Sequence, residues 1–233
     1  MLDLKGYGLT LLSGTVLTIE SALVSLIVAV LLGAVGALAK TSHSTVAQTI
    51  AGVYTTVVRG VPDLVLMLLI FFGGQMLINQ LVEALGYDTY IEVSAFTAGV
   101  ATIGFIYGAY MTETFRGAIL AVPAGQLEAG QAFGMSPVQV LWRILLPQTI
   151  RHALPGFGNN WLVLLKTTAL LSVLGLDDVL RKASLAAGAT REPFTFYLAA
   201  ALIYLLLTSV STVLLMRAER RAEQPYIRPT HGL

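Results

Sequence analysis

Charged residues divide the chain into long apolar stretches. Nineteen uncharged residues separate Glu20 from Lys40, another nineteen separate Asp63 from Glu83, and twenty separate Glu92 from Glu113. Arg151 and Asp177 enclose 25 residues, among them Lys166, and Glu192 and Arg217 enclose 24 with no charge. A helix of about 20 apolar residues spans the hydrocarbon of a bilayer. The pattern therefore predicts an all-α transmembrane fold of five membrane-spanning helices, over about 12–39, 62–82, 93–115, 152–176 and 194–216, in one domain covering 1–233.

The connections carry their own punctuation. A polar turn, Lys40-Thr41-Ser42-His43-Ser44, joins the first two spans. Residues 117–150 form a longer loop with helix signals at both ends. Pro123 suits a first helical position and Gly134 the residue just past a helix end. Ser136-Pro137 reads as an N-cap and first-turn proline opening a second short helix. Leu176 to Glu192 is expected to form a hairpin or short helix outside the membrane. The start, Met1-Leu2-Asp3-Leu4-Lys5, mixes charges and lacks the basic n-region of a signal peptide. The tail beyond Arg217 is basic and then irregular at Pro225 and Pro229, and reads as an interfacial anchor.

Composition agrees with the bilayer as part of the solvent. Hydrophobic residues make up 56% of the 233 and charged residues 12%, and mean hydropathy is +0.78; soluble domains carry about 25% charged residues. Membrane lipid is thus a partner, while a net charge of +1 gives no basis for nucleic acid. The absence of cysteine excludes disulfides, thiolate metal sites and a cysteine nucleophile. His43, His152 and His231 are too scattered for a metal site, and no serine has a readable His and Asp partner. No catalytic residue is expected, so the chain is not read as an enzyme. A phosphate-binding loop is missing as well, because the one Lys-Thr pair, Lys166-Thr167, follows Leu165 inside an apolar span.

Lysine and arginine set the orientation. With the N-terminus outside, nine bases face the cytoplasm: Lys40, Arg59, Arg116, Arg143, Arg151, Arg217, Arg220, Arg221 and Arg228. Four, Lys5, Arg181, Lys182 and Arg191, stay outside. The positive-inside bias favours this arrangement, with the C-terminus inside. Gly33-Ala34-Val35-Gly36-Ala37 reads as a seam of close helix packing.

One motif points to a function. Glu128, Ala129 and Gly130, then Gly134, Ile144, Leu146 and Pro147, fit the pattern Glu-Ala-Ala, three residues, Gly, nine residues, Ile, one residue, Leu-Pro, with Gly130 in place of the second alanine. This resembles the signature loop of type I ABC importer permeases. Arg59-Gly60-Val61-Pro62, the stretch Gly108 to Gly117 and Gly156-Phe157-Gly158-Asn159-Asn160-Trp161 are similar to the polar amino-acid permeases, in particular those of histidine/lysine–arginine–ornithine and arginine/ornithine importers. Thr167 departs from the acid that many relatives carry there. The resemblance implies a multi-pass subunit of a bacterial inner membrane that translocates a polar, basic amino acid (histidine, arginine, lysine or ornithine). It implies a coupling helix at Glu128–Gly134 that seats on an ATPase. Its implied partners are a homologous second permease, a dimeric ABC ATPase holding ATP and Mg, and a periplasmic amino-acid-binding protein. No cofactor is implied for this chain.

Charge in the membrane is informative independently. An ionised side chain at a helix centre costs roughly 2.5–3.5 kcal/mol on insertion scales, so it faces a partner or a polar cavity. Glu20, Asp63, Glu113 and Lys166 are the candidates, with Asn159 and Asn160 as neutral donors, and Glu20 suits the outer interface. Glu113 and Arg116 stand three apart and suit an internal pair. By themselves Asp63 reads equally as a helix-start acid and Lys166 as the partner of an acid on a neighbouring helix. The resemblance implies instead that Asp63 meets a cationic side chain, and Lys166 with the asparagines a carboxylate. A secondary transporter or a channel would also account for buried charge, but would leave the loop motif unexplained.

Overall fold

The structure is a computed structural model that describes residues 4–223; the expected tail features at Pro225, Arg228, Pro229 and His231 lie outside the described residues. Among the described residues nine α-helices follow one another: α1 (Gly8–Thr41), α2 (Thr45–Gly60), α3 (Asp63–Ala84), α4 (Ala95–Leu120), α5 (Ala124–Ala132), α6 (Pro137–Val140), α7 (Leu146–Thr167), α8 (Val179–Thr190) and α9 (Pro193–Glu223). A π segment, Leu141–Leu145, runs from α6 into α7, and a 3-10 turn, Thr168–Leu174, extends α7. Among the described residues there is no strand.

Local chemistry explains most boundaries. Ser44 caps α2 by accepting from the Ala47 N–H, and Ser94 caps α4 by accepting from Thr97. Val61-Pro62 separates α2 from α3, because the residue before a proline is pushed out of the helical region. Pro62 and Pro123 both serve as N-caps, one residue ahead of the first helical position expected for Pro123. The segment between Leu176 and Glu192 is helical, as α8.

α4 is the centre of the molecule. Ile103, Ile106, Tyr107, Ala109 and Met111 are buried there against Met67, Leu164, Leu165 and Leu171 of neighbouring elements. α1 lies along α4 with Thr18, Ser21, Ser25, Ala29, Gly33 and Gly36 buried at three- and four-residue intervals. A Cβ at Gly33 would strike Met111 and one at Gly36 would strike Thr112, so the expected small-residue seam is real. A second cluster joins Leu11, Ala183, Ala186, Phe196 and Ala199, holding the start of α1, α8 and α9 together.

Among the described residues four helices are long and apolar enough to cross a membrane by length and composition: α1, α3, α4 and residues 193–222 of α9. Two expectations need revising. The Lys40–Ser44 turn leads into α2, a separate helix, and not directly into the second span. The expected span at 152–176 is divided between α7 and the 3-10 turn, and α7 carries Pro155, Arg151, Asn159, Asn160 and Lys166. That polarity keeps it outside the apolar set, so length and composition alone support four crossings.

Candidate functional site

Three groups of residues come together. The first sits where α3 begins. Asp63 is the first residue of α3, Tyr107 is buried in mid-α4, and Thr167 ends α7. The Tyr107 hydroxyl lies 2.6 Å from Thr167 Oγ1 and 3.4 Å from Asp63 Oδ2. Thr167 donates its own proton to the Val163 carbonyl at 3.1 Å, so the single O–H of Tyr107 faces two acceptors, Thr167 Oγ1 and the more distant Asp63 Oδ2. Among the described residues no cation stands within ion-pair distance of Asp63. Arg59, the one base in helical reach, is turned instead onto the Tyr110 ring, 5.3 Å from its centroid. Asp63 is therefore a half-buried carboxylate tied to a phenol and lacking a countercharge.

The fourth-span candidates separate on inspection. Asn160 donates to Thr114 Oγ1 at 3.0 Å and pins α7 to α4. Asn159 is exposed, as is Lys166, which is next to Thr167 and has no carboxylate within ion-pair distance among the described residues. Sequence reasoning named Asp63 and Lys166 but missed Tyr107, whose hydroxyl links the helices carrying them. A tyrosine in an apolar span was the available signal, since a buried hydroxyl needs a partner.

The second group lies at the other end of α4. Glu113 accepts from Lys40 at the end of α1 and from Arg116 Nε at 3.0 Å. The expected Glu113–Arg116 pair is present, and Lys40 makes it a three-member network. Lys40 Nζ also donates to Thr55 Oγ1 at 2.6 Å.

The third group is the loop from α5 to α7. Gly134 adopts φ +80, the left-handed conformation expected of it. The Met135 N–H reaches the Gly130 carbonyl at 3.1 Å and the Gly134 N–H reaches Gln131 at 2.9 Å, closing α5 with a Schellman turn. Ser136 and Gln139 then form a reciprocal capping box that opens α6. Gly130 is buried against Val140 and Ile144, and a Cβ there would come 2.6 Å from Ile144 Cδ1. Leu146 and Pro147 begin α7, and Gln148 donates to Gln126 at 2.6 Å, fastening α5 to it. The result is a braced corner whose outer surface presents Glu128, Ala129, Phe133 and Trp142, with Phe133 88% and Trp142 63% exposed. Phe133 and Trp142 were not singled out in the sequence, where they look like ordinary loop apolars.

Residues 29–224 match the family described as binding-protein-dependent transport system inner membrane component. The chain belongs to this permease family. Among its relatives, the histidine/lysine/arginine/ornithine transport system permease protein HisQ of Salmonella typhimurium is 52% identical over 218 residues, covering 94% of this chain and 95% of HisQ. The nopaline transport system permease protein NocQ of Agrobacterium fabrum is 45% identical, covering 94% and 93%. The arginine ABC transporter permease protein ArtQ of Escherichia coli is 41% identical, covering 75% and 79%. A crystal structure of an amino acid ABC transporter with histidines superposes with a TM-score of 0.78 at 33% identity, covering 92% of this permease and 95% of that chain. The MetNI methionine ABC transporter, at 14% identity and a TM-score of 0.67, shares the fold. The protein is thus an inner-membrane permease subunit of an amino-acid ABC importer with the type I fold. The secondary-transporter and channel readings give way to that assignment.

Proposed function

We propose that this permease carries a basic amino acid and that Asp63 receives its cationic side chain. The carrying observation is the Asp63 carboxylate at the head of α3, hydrogen-bonded to Tyr107 and without a countercharge among the described residues. A guanidinium or ammonium would supply that charge. Lys166 is one residue from Thr167 and offers a cation for the substrate carboxylate, with Asn159 exposed on the same helix. Asn160, bound to Thr114, holds α7 in place for this site.

The corner at Glu128–Pro147 is the ATPase-docking surface in this reading. Glu128, Ala129 and the exposed rings of Phe133 and Trp142 make the contact. Gly130, Gly134, Ile144, Leu146 and Pro147 set its shape. A dimeric ATPase with ATP and Mg, a homologous second permease and a periplasmic binding protein complete the importer. The excess of lysine and arginine at the coupling end supports an N-terminus in the periplasm and a C-terminus in the cytoplasm.

The test is Asp63→Asn in reconstituted importer, comparing arginine with histidine at alkaline pH, where histidine is neutral. A hydrogen bond to a charged group contributes about 1.5–3 kcal/mol, so arginine uptake should fall roughly 10- to 100-fold while neutral histidine changes little. Equal losses for both substrates in a normally assembled complex would make Asp63 a structural helix-start acid.

A further inference from the structure

A polar cavity of about 550 Å³ opens beside the second group of residues, lined by Lys40 of α1, Thr55, Thr56, Arg59 and Gly60 at the α2 end, and Tyr110 and Glu113 of α4. It lies toward the coupling end of α4, two helical turns from the Asp63–Tyr107 contact measured from Tyr107 to Glu113. Its size is that of a small-molecule site.

Its charges are unequal. Lys40 and Arg59 bring two positive charges and Glu113 one negative, and Glu113 is already shared with Arg116 from outside the cavity. Arg59 Cζ lies 5.3 Å from the Tyr110 ring centroid, a cation–π distance, and among the described residues no carboxylate comes within ion-pair distance of it. Among the described residues its N–H groups have no hydrogen-bond acceptor, and a guanidinium presents them in the fork geometry that grips a carboxylate with two parallel bonds. Thr56 is exposed beside it and offers a hydroxyl. Gly60 has nothing within 4 Å of where a Cβ would stand, so the rim beside Arg59 is open. Each Glu113 oxygen has one recorded donor, and a carboxylate oxygen accepts two, so both can take a further N–H.

We propose that this cavity is a second amino-acid site, which holds the zwitterionic head group: the α-carboxylate on Arg59 with Thr56, and the α-ammonium on Glu113. The proposal rests on the amino-acid reading above and adds a site that recognises the head group and ignores the side chain, complementary to Asp63, which recognises the side chain. Lys40, held by Thr55 and Glu113, fixes the acid for this role.

The difference in chemistry separates the two sites by experiment. Isothermal titration of the assembled importer in lipid nanodiscs, without binding protein, uses L-norvaline, which has a head group and no charged tail, and agmatine, which has arginine's tail and no carboxylate. Norvaline should bind the wild type and agmatine should not displace it. Arg59→Gln should weaken norvaline at least about tenfold, the loss of one charge-assisted bond, and Arg59→Lys, which keeps the charge but not the fork, should fall between. Asp63→Asn should leave norvaline binding unchanged. Norvaline bound equally by wild type and Arg59→Gln, or displaced by agmatine, would overturn the second site. Binding of arginine by an importer that does not bind norvaline at all would also overturn it and leave the amino-acid reading intact. Failure of arginine, lysine, histidine and ornithine alike to bind or be transported would instead remove the amino-acid reading, and this proposal with it.

Discussion

Asp178 lies between the expected fourth and fifth spans, outside both, and is fully buried as the N-cap of α8. Its Oδ1 accepts from the Arg181 N–H at 2.8 Å, while Oδ2 is buried with no partner. Burial pushes its carboxyl from 3.8 up to about 6, against the opposing pull of the Arg181 and Leu180 backbone N–H groups. An acid with a raised native pKa is protonated in the folded chain while the unfolded chain is ionised. Stability from this group is thus complete below pH ~4 and is lost as pH rises through about 6. Asp178→Asn, which keeps the cap, should therefore stabilise the folded protein at pH 7 by up to roughly 3 kcal/mol, read as a higher melting temperature in detergent. The gain should shrink to nothing as the pH falls toward 4, and a gain independent of pH would assign the effect to the cap alone. Tyr107→Phe would remove the hydroxyl shared by Asp63 and Thr167, with a cost of about 1–2 kcal/mol; uptake of arginine should drop with the complex still assembled. At this scale the sequence exposed the charges and hid their partners. Asp63 and Glu113 stood out because ionised groups are costly in lipid. Tyr107 and Asp178 acquire their importance only from what the fold brings against them.

The braced corner between α5 and α7 was largely legible, because its determinants act over three to five residues: a left-handed glycine at 134, a serine cap at 136 and a proline at 137. Gly134→Leu should cost about 1–2 kcal/mol in backbone strain and reduce recovery of the ATPase in a pull-down, whereas Gly130→Ala should be nearly neutral. The Cβ added at Gly130 meets the far end of Ile144, a flexible tip that can rotate aside, which reconciles this glycine with the second alanine of the loop pattern it resembles. Gly36 is the opposite case. A Cβ there meets Thr112, a β-branched residue whose hydroxyl is committed to the Gly108 carbonyl at 2.8 Å. Gly36→Leu should lower the yield of folded protein in detergent, with a cost of about 1–3 kcal/mol or more; unchanged melting would mean the α1–α4 seam is looser than its geometry. The independence of α2 and the breaking of the 152–176 stretch were not legible. α2 is set apart by the Ser44 cap and Val61-Pro62, and the 3-10 turn begins at Thr168, whose hydroxyl donates to the Leu165 carbonyl at 2.7 Å; hydropathy counts carry no such information.

On the scale of the whole molecule, the helices are unequally covered. α4 is enclosed on most sides, while α3 has two buried residues, Leu66 and Met67, and carries Leu69, Phe72, Met76, Leu77 and Leu81 on its open surface. Lipid or the proposed second permease would cover such a surface, and on that proposal native mass spectrometry of gently extracted importer should find this chain with one homologous permease and two ATPases. A complex with this chain as its sole membrane subunit would overturn the heterodimer. The α1–α4 seam also sets a timetable for synthesis. Gly33 packs on Met111 and Gly36 on Thr112, contacts between residues more than seventy positions apart in the chain. At about 5–20 residues per second, roughly 4–16 s pass between the ribosome's completing one side of the seam and the other. Through that interval the Ser25 hydroxyl lacks the Val100 carbonyl of α4 to which it donates in the folded chain, whereas Thr18 and Ser21 already donate to carbonyls of their own helix. The first helix of this permease enters the membrane as a half-finished interface, and a chaperone or translocon that shields its glycine face until α4 arrives would govern how much of the protein survives its own synthesis.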